Sequence, residues 1–477
     1  MYDVVIIGAG ITGTMLARKL SAYDIKIALI DKENDIANGA TMANSAIIHT
    51  GYDPKDGTLM AELNVKGARA YEELCRQLGC KYKKVGAYIA ACGKEEEAHL
   101  DVLADRAKRR DIPFRFIDAD EARKQEPALS QNVTRVLDLY TTAVVYPWEI
   151  AIACAEVAVG NGADVFLNNS CEAIERLDGG YRVITNERTL ECKTVINAAG
   201  VFAEKIAGMV TSNVGFHITP RRGEYYVLDK DADVVRHIIF PVPSKEKGKG
   251  VLAVPTVYGN TLIGPNSDYV DDPEDNGTSD DGLSYVRGNI SKTLVDVPLY
   301  RSIRTFAGLR PSSSAGDFVI EELSDAEGFV NAACIESPGL ASAPAIADYI
   351  IGKFISKRLE LREKSGAVMG RKAPLIMAEL SPEERSEAIK KEPLYGKIIC
   401  RCEQISEGEI IDCIRRPCGA CSVKGVKKRV RPGMGRCQGG FCEPKVVDIL
   451  ARELGIDPTE VLLDPCGSNI LVEVNRP

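Results

Sequence analysis

The chain has 477 residues, of which 45% are hydrophobic and 27% are charged, and its formal net charge is -8. This length exceeds a single ordinary core, so two or three domains are expected. The acidic balance argues against a nucleic-acid partner, because binding to a phosphate backbone needs a positively charged surface.

The opening residues run directly into an apolar strand, without the pattern of a secretory signal. No uninterrupted apolar run reaches the ~18 residues of a membrane-spanning helix. We therefore expect a cytoplasmic protein without a transmembrane segment, with room for peripheral contact at the inner membrane. Fifteen cysteines without an export signal indicate a reducing compartment, so their clustering points to metals rather than disulfides.

The first part of the chain alternates short apolar strands with helical patterns, which is typical of a βαβ sheet. Buried parallel strands are predicted over 3–7 and 25–30, with a helix over 11–22 between them. The glycine turn from Gly8 to Gly13 follows the first strand and opens the helix, the context of a dinucleotide-binding motif. Asp31 ends the second strand, where a carboxylate accepts hydrogen bonds from a ribose.

Each glycine of the turn has a separate role. Gly8 permits the tight turn, Gly10 lets the backbone approach a pyrophosphate, and Gly13 allows the helix to pack on the strand. A second pattern, Gly248 to Ala253, fits the same spacing, but Pro255 and strand-like residues follow it. We interpret that segment as a hairpin, so one nucleotide site remains.

Further along, the pattern changes twice. Residues from about 205 to 300 predict antiparallel strands with tight turns, which indicates a second, sheet-rich domain inserted into the first. The α/β pattern returns over 304–355. Residues 361–395 are predicted as a loosely packed helical linker with a capping box that starts at Ser381, and 396–477 as a small cysteine-rich unit.

Several segments resemble the D-amino-acid-oxidase superfamily, in the branch of glycerol-3-phosphate and L-2-hydroxyglutarate dehydrogenases. The segments are GAGITG at the N-terminus, NS through HTG at 44–51, NAAG at 197–200, RRGEYY at 221–226, GLRP at 308–311 and SPGL at 337–340. The resemblance implies an α/β protein with a Rossmann-like FAD-binding domain over 1–360. An inserted antiparallel substrate sheet would come mainly from about 80–140 and 205–305.

The same resemblance implies which residues contact FAD. Residues 197–200 would lie against the cofactor, and 337–340 near the reactive flavin ring. The full set of expected contacts is Gly8, Gly10, Ile11, Thr12, Gly13, Asp31, Lys32, Ser45, Ala199, Gly200, Gly308, Pro338, Gly339 and Leu340.

Because the flavin itself takes the hydride, the protein only has to orient the substrate and accept its hydroxyl proton, and a few side chains are candidates for these roles. Arg310, in the Gly-Leu-Arg-Pro segment, matches the substrate-binding arginine of the family and can hold a carboxylate or phosphate. Arg222 is a second candidate for the same task. His49 is the candidate base, since an imidazole titrates near neutrality, although it could equally hydrogen-bond the flavin alone. Tyr225 is a candidate for orienting the substrate.

Four cysteines near the C-terminus have the spacing C-x-C and C-x4-C. They are Cys400 and Cys402, then Cys437 and Cys442, and four thiolates can hold zinc or an iron–sulfur cluster. The basic stretch from Lys424 to Arg436 is unexpected in an acidic protein. It could neutralise a cluster, dock an acidic electron carrier or, least expectedly, bind nucleic acid.

The pattern ICRCE followed by RPGMGRCQGGFC resembles the bacterioferritin-associated-ferredoxin-like (BFD-like) [2Fe-2S] domain. This resemblance covers roughly 396–455 and implies that Cys400, Cys402, Cys437 and Cys442 are the cluster ligands. Cys418 and Cys421 depart from the simple pattern: a second thiol couple and an alternate ligand set are two interpretations, and we favour a third, that they lie outside the ligand set. Cys413 and Cys466 are interpreted as packing residues. The expected architecture is thus completed by a small helical C-terminal iron–sulfur domain over 396–477.

Together these features favour an FAD-dependent dehydrogenase over an oxidase. A flavin accepts two electrons at once and a [2Fe-2S] centre carries one at a time, so their fusion suits a redox partner protein or a quinone as the acceptor. The expected substrate is a small anionic secondary alcohol, first sn-glycerol 3-phosphate and second L-2-hydroxyglutarate. An amino- or imino-acid oxidoreductase subunit and a non-catalytic electron-transfer subunit are the other hypotheses.

Overall fold

The nucleotide-binding turn predicted from the sequence joins the first strand to the first helix of a computed structural model, which describes residues 1–243 and 250–473. Strand β1 (Tyr2–Ile7) is followed by helix α1 (Ile11–Leu20) and strand β2 (Ile27–Ile30). Both strands consist almost entirely of apolar, mostly β-branched residues that are buried on both faces, as expected for a parallel sheet covered by helices.

The remaining strands follow in chain order: β3 (Ile47–Ile48), β4 (Tyr82–Lys84), β5 (Ala87–Ala91), β6 (Arg115–Asp118), β7 (Arg135–Asp138), β8 (Ala143–Val145), β9 (Asp164–Phe166), β10 (Cys171–Leu177), β11 (Gly180–Thr185), β12 (Thr189–Asn197), β13 (Ile218–Leu228), β14 (Ile238–Pro241), β15 (Leu252–Pro255), β16 (Thr261–Gly264), β17 (Asp268–Tyr269), β18 (Ser302–Ser313), β19 (Val319–Glu322), β20 (Phe329–Ala333), β21 (Ile398–Cys400) and β22 (Ile405–Ser406).

The remaining α-helices are α2 (Leu59–Leu78), α3 (Lys94–Arg109), α4 (Ala119–Gln125), α5 (Pro147–Gly160), α6 (Ala203–Ala207), α7 (Asp280–Asn289), α8 (Gly339–Ile350), α9 (Ser356–Arg358), α10 (Pro382–Lys391), α11 (Glu407–Arg415), α12 (Val423–Val430) and α13 (Glu443–Leu454).

Two large sheets build the N-terminal part. In the first, β9, β2, β1, β12 and β20 run parallel, and the hairpin strands β10 and β11 extend the β12 edge. The second sheet has the order β17-β13-β16-β15-β14-β5-β7-β6 with β18 on β13, and it is antiparallel except for the β5–β14 pair. This is the expected α/β fold with an inserted antiparallel sheet, and the fold class is confirmed.

A separate small core holds the C-terminal part together. Helices α11, α12 and α13 bury one apolar cluster that includes Ile410, Val426 and Leu450. Both α11 and α12 begin at a serine whose hydroxyl accepts a backbone N–H of the first turn, Ser406 and Ser422.

The segment between the two parts differs from the prediction of a loose helical linker over 361–395. Only α10 is an α-helix there, with the capping box of Ser381 and Glu384 in place. Residues 361–376 form no helix, and their hydrogen bonds go to the N-terminal domain: Arg18 Nε donates to Met369 O at 3.1 Å and Asn161 Oδ1 accepts Val368 N at 2.9 Å. This part of the linker is held along its length.

The discarded second glycine pattern falls partly outside the described residues, since Gly248 and Lys249 belong to 244–249. The part of it that is described enters strand β15.

Candidate functional site

The glycine turn has the close approaches that a dinucleotide site requires. Gly8 has φ +106°, and a Cβ there would lie 2.4 Å from Ala198 O. A Cβ on Gly13 would lie 1.9 Å from Gly8 O, so only glycine lets α1 pack against the turn. The N-terminus of α1 therefore faces the space beside the turn, where its partial positive charge suits phosphate.

Asp31 lies at the end of β2 beside this turn. Its carboxylate accepts the backbone N–H of Ala9 at 2.5 Å and of Glu33 at 2.9 Å. Burial raises the pKa of Asp31 to about 6, against the opposing effect of these two donors. Thr41 completes the turn, since its Oγ1 accepts Ile11 N at 2.9 Å.

One cavity of about 1560 Å³ runs from the glycine turn to the inserted sheet. Most of the residues expected to contact FAD line it: Gly8, Gly10, Ile11, Thr12, Asp31, Lys32, Ser45, Ala199, Gly200, Gly308, Pro338, Gly339 and Leu340. Gly13 is not on the wall, because it packs beneath Gly8. The cavity is large enough, and suitably shaped at the glycine turn, for a dinucleotide cofactor.

The far end of the cavity is formed by β13 and β18. These strands pair antiparallel, with Arg221 opposite Arg310, Gly223 opposite Gly308 and Tyr225 opposite Phe306. Because side chains on a strand alternate between faces, all six positions belong to the same face of the sheet. All of them except Gly223 line the cavity.

Arg310 reaches across the glycine of the neighbouring strand. A Cβ on Gly223 would lie 2.3 Å from Arg310 Nη2, so the glycine makes room for the guanidinium. Arg310 Nη2 also donates to Asn266 O at 3.3 Å. Tyr225 is buried and stacks on Phe306 with ring centroids 4.7 Å apart. Burial raises the pKa of Tyr225, while Arg310 and Ser45 oppose the rise.

His49 also lies on the wall of this cavity. It is buried, its ring lies 5.7 Å from that of Phe240, and its backbone oxygen accepts Asn64 Nδ2 at 2.7 Å. The buried Asn64 thus fixes the backbone of the loop that carries the imidazole. His49, Tyr225 and Arg310 thus line one cavity.

Arg222 is placed on the other face of β13, away from the cavity. Its Nη1 lies 2.5 Å from Asp275 and its Nε 3.1 Å from the buried Glu224, so both carboxylates hold it there. The neighbouring Arg221 faces the cavity instead, and its Nη2 donates to Glu336 at 2.6 Å. Sequence reasoning missed Arg221, although it lies four residues before Tyr225, an even spacing that puts the two side chains on the same face of one strand.

The four cysteines of the two short motifs meet at one side of the C-terminal domain. Cys400 ends β21, and Cys442 directly precedes α13. Cys402 Sγ lies 3.8 Å from Cys437 Sγ. A hydrogen bond from Cys442 lowers the pKa of Cys400 to about 6, while the same bond raises that of Cys442. Two close pairs of thiols from two segments fit the four-thiolate set of an iron–sulfur cluster.

Within the described ranges, no three His, Cys, Asp or Glu side chains converge to hold a single metal ion. The other C-terminal cysteines make contacts elsewhere. Cys413 donates to Ile410 O in its own helix, whereas Cys421 reaches Asn34 O and Cys466 reaches Asn168 Oδ1 in the N-terminal domain.

The basic stretch 424–436 is turned inward, toward acids of both domains. Arg429 forms a bidentate pair with Asp35, and both of its N–O distances are 2.8 Å. Arg431 pairs with Glu403 at 2.9 Å and donates to Tyr146 Oη at 2.7 Å. Arg436 reaches Asp229 at 2.5 Å and Asp231 at 2.6 Å. The charges predicted to serve the cluster or a carrier therefore attach this domain to the rest of the chain.

The cavity also reaches the cysteine-bearing domain. Lys427, Met434 and Gln438 line it, and Lys427 Nζ lies 3.4 Å from Gln438 Oε1. Gln438 follows Cys437 directly in the chain. One end of the cavity is thus closed by a residue next to a candidate cluster ligand.

Two family models match the chain. The model for FAD dependent oxidoreductases matches residues 3–352, and the model for the BFD-like [2Fe-2S] binding domain matches residues 398–452. These matches assign FAD to the N-terminal part and a [2Fe-2S] cluster to the C-terminal part.

Relatives of the chain include complete proteins and solved structures. A glycerol 3-phosphate dehydrogenase from Caloramator mitchellensis is 47% identical over 99% of this chain and 98% of its own. An L-2-hydroxyglutarate dehydrogenase from Escherichia coli is 30% identical over 56% of this chain and 64% of its own. The structure of the FAD-bound L-alpha-glycerophosphate oxidase from Mycoplasma pneumoniae has a TM-score of 0.74 at 28% identity. It covers 79% of this chain and 99% of that chain.

Among the residues that the structure describes, no helix combines the length and the apolar character needed to cross a membrane.

Proposed function

This chain belongs to the FAD-dependent oxidoreductase family and carries a BFD-like [2Fe-2S] binding domain, and on that premise we propose that it oxidises sn-glycerol 3-phosphate to dihydroxyacetone phosphate. The observation that carries the proposal is the face of β13 and β18 that closes the cavity. There Arg310 offers a guanidinium to a phosphate beside Tyr225, and His49 lines the same cavity.

The residues at this end divide the work of an alcohol oxidation. Arg310 binds the phosphate and so fixes the distance between the substrate carbon and the flavin position. His49 accepts the proton of the substrate hydroxyl as the carbon–oxygen bond becomes a carbonyl. Tyr225, held by Phe306, limits the orientations that the bound substrate can take. Bound FAD supplies the hydride-accepting chemistry.

The C-terminal domain provides the exit for the electrons. Cys400, Cys402, Cys437 and Cys442 are the proposed ligands of the cluster. Lys427, Met434 and Gln438 lie between the cavity and these cysteines, which supports transfer within one chain.

The outer side of the cluster site is open to a second redox protein. Cys402 is exposed, and Phe441, which precedes Cys442, is 83% exposed. We propose that the acceptor is an electron-carrier protein or partner subunit that approaches this edge. Contact with a quinone at the membrane surface is the competing route. A Phe441→Ser variant that loses turnover with a carrier protein but keeps turnover with a quinone would favour the carrier protein.

L-2-hydroxyglutarate is the second candidate substrate, because the chain is also similar to dehydrogenases of that name. A single guanidinium binds a carboxylate as readily as a phosphate. Both candidates are anionic secondary alcohols, so the roles proposed for Arg310 and His49 hold for either.

The test is anaerobic bleaching of the flavin absorbance by a small panel of compounds. The panel is glycerol 3-phosphate, L-2-hydroxyglutarate, lactate and proline, each added to the purified FAD-loaded protein. The proposal expects glycerol 3-phosphate to bleach the flavin fastest. If L-2-hydroxyglutarate or proline bleaches the flavin faster, that compound replaces glycerol 3-phosphate as the proposed substrate. A flavin that stays oxidised with all four compounds would support a non-catalytic electron-transfer subunit.

A further inference from the structure

The loop after β2, residues 32–41, lies along the dinucleotide cavity and is held from the other side by the C-terminal domain. On the cavity side, Lys32, Asn38 and Thr41 line the wall. Thr41 Oγ1 also accepts the first N–H of α1, so a shift of the loop would disturb the phosphate-binding turn. The position of this loop therefore bears directly on how FAD is held.

One lysine of helix α12 binds the same loop. Lys428 Nζ lies 2.9 Å from Asp35 Oδ2, 2.7 Å from Ile36 O and 2.6 Å from Asn38 Oδ1. All three donor positions of the ammonium are thus used on a single loop. The side chains of Lys428 and Asp35 are each 2% exposed, so water does not compete for these hydrogen bonds.

Further contacts attach the loop 32–41 to the C-terminal domain. Arg429 forms its bidentate pair with the same Asp35, with its own side chain 5% exposed. The C-terminal Asp464 lines the cavity, pairs with Lys424, and takes hydrogen bonds from Asn34 and Asn38 through its backbone and its carboxylate. The charge-assisted hydrogen bonds of Lys428 and Arg429 to the buried Asp35 belong to the strong class.

We propose that the cluster-bearing domain is part of the FAD site: α12 clamps the loop 32–41 against the cofactor, so that retention of FAD depends on this docking. FAD cannot leave by displacing the loop without breaking the contacts of Lys428 and Arg429. The proposal rests on FAD as the cofactor and is independent of the substrate, because the release of FAD is measured with no substrate present.

The decisive variant is Lys428→Met. Methionine has nearly the same length, and Arg429 still balances the charge of Asp35, so the change removes the three hydrogen bonds and leaves no buried charge unpaired. The FAD-loaded, cluster-loaded protein is diluted, and the rise of free-flavin fluorescence gives the release rate. We expect FAD release to be at least about tenfold faster than in the unaltered protein, a modest net effect for the loss of three hydrogen bonds.

The matched control is Arg436→Gln at the same domain interface. Arg436 pairs with Asp229 and Asp231 and makes no contact with the loop in the described residues. We expect its release rate to stay within about twofold of the unaltered protein. Equal acceleration in both variants would show a general loosening of the domains and overturn the clamp, as would an unchanged rate in Lys428→Met.

If a variant loses FAD during purification, its release rate cannot be measured, and a second measurement takes the place of the release assay. Hydrogen–deuterium exchange of the backbone of the loop 32–41, in protein with its full iron and sulfide content, should be faster in Lys428→Met than in Arg436→Gln. Exchange equal in the two variants counts against the clamp. If Lys428→Met does not load iron, Arg429→Gln takes its place, since Lys428 then balances Asp35.

Discussion

Arg221 and Arg310 face each other across neighbouring antiparallel strands, on the side of the sheet that closes the cavity. Their charges are not equivalent. Arg221 is engaged by the carboxylate of Glu336 at 2.6 Å, whereas Arg310 donates to the backbone oxygen of Asn266 at 3.3 Å, lies beside Tyr225, and pairs with no carboxylate in the described part of the chain. Arg310 is therefore the guanidinium that an incoming anion can bind with the smaller loss of existing contacts.

Replacement of Arg310 by methionine should remove the guanidinium that binds the substrate anion and should leave the cofactor in place. We expect kcat/KM for glycerol 3-phosphate to fall about 100- to 1000-fold, the loss of a bidentate charge-assisted contact. Stopped-flow flavin reduction measures the effect, and FAD absorbance verifies the loading. The matched control is Arg222→Gln on the opposite face of the neighbouring strand β13, which should change kcat/KM by less than about threefold. Normal kcat/KM in Arg310→Met would refute the assigned role.

Replacement of His49 by asparagine should slow the chemical step itself. Loss of a positioned general base costs about 100-fold or more in the rate of flavin reduction at saturating substrate. The acidic limb of the pH–rate profile should disappear in the variant, because no imidazole is left to protonate. His217→Asn is the control, since His217 is exposed and pairs with Glu204 on the surface. A retained acidic limb in His49→Asn would assign the proton transfer to another group.

Replacement of Cys437 by serine should separate the two redox centres. Iron and sulfide should be lost from the purified protein, while the substrate still bleaches the flavin. Reduction of a one-electron acceptor protein should be abolished, because the path through the cluster is cut. Cys421→Ser should keep the full iron content, since Cys421 contacts Asn34 rather than the other thiols. Loss of iron in Cys421→Ser as well would require a different ligand set.

Glu149, near the start of α5, should make the stability of the protein depend on pH. Burial raises the pKa of Glu149 to about 7 from 4.5, against the opposing effect of Arg371. The folded state therefore holds a proton that the unfolded state has released, and its contribution is full below pH 4.5 and lost as the pH rises through 7. That contribution amounts to about 3 kcal/mol.

Glu149→Gln stays neutral and removes this dependence. Denaturant unfolding at pH 5 and pH 8 should show that the unaltered protein loses about 2 to 3 kcal/mol more than the variant between the two conditions, because part of the contribution is already lost at pH 5. Glu383→Gln on the exposed start of α10 is the control and should follow the unaltered protein. Parallel pH dependences in Glu149→Gln and the unaltered protein would mean that Glu149 stays ionised in the fold.

The parts of the site that are local in sequence could be predicted. The glycine turn, the acid at the end of β2 and the two cysteine motifs each depend on spacing within a few residues, and their neighbours in the chain are their neighbours in space. The choice between Arg221 and Arg222 was different. It depends on the phase of β13, because a shift of one residue moves every side chain of a strand to the other face.

The destination of the basic stretch could not be predicted from the sequence. A run of lysines and arginines looks like a free surface as long as its partners are unknown. The partners of Lys428, Arg429 and Arg436 are Asp35, Asp229 and Asp231, which precede them by about 200 to 400 positions. Only the packed arrangement of the domains brings these charges together.

The linker segment 361–376, which hydrogen-bonds the N-terminal domain, has a consequence for the rate of electron transfer. Since Arg18 and Asn161 hold the segment 361–376 through Met369 and Val368, we expect the cluster domain to stay docked rather than to move on a flexible linker. The separation between donor and acceptor is set once, when the chain folds. Internal transfer should therefore proceed at the same rate in thick glycerol solutions as in dilute buffer, whereas a swinging carrier domain would slow with viscosity.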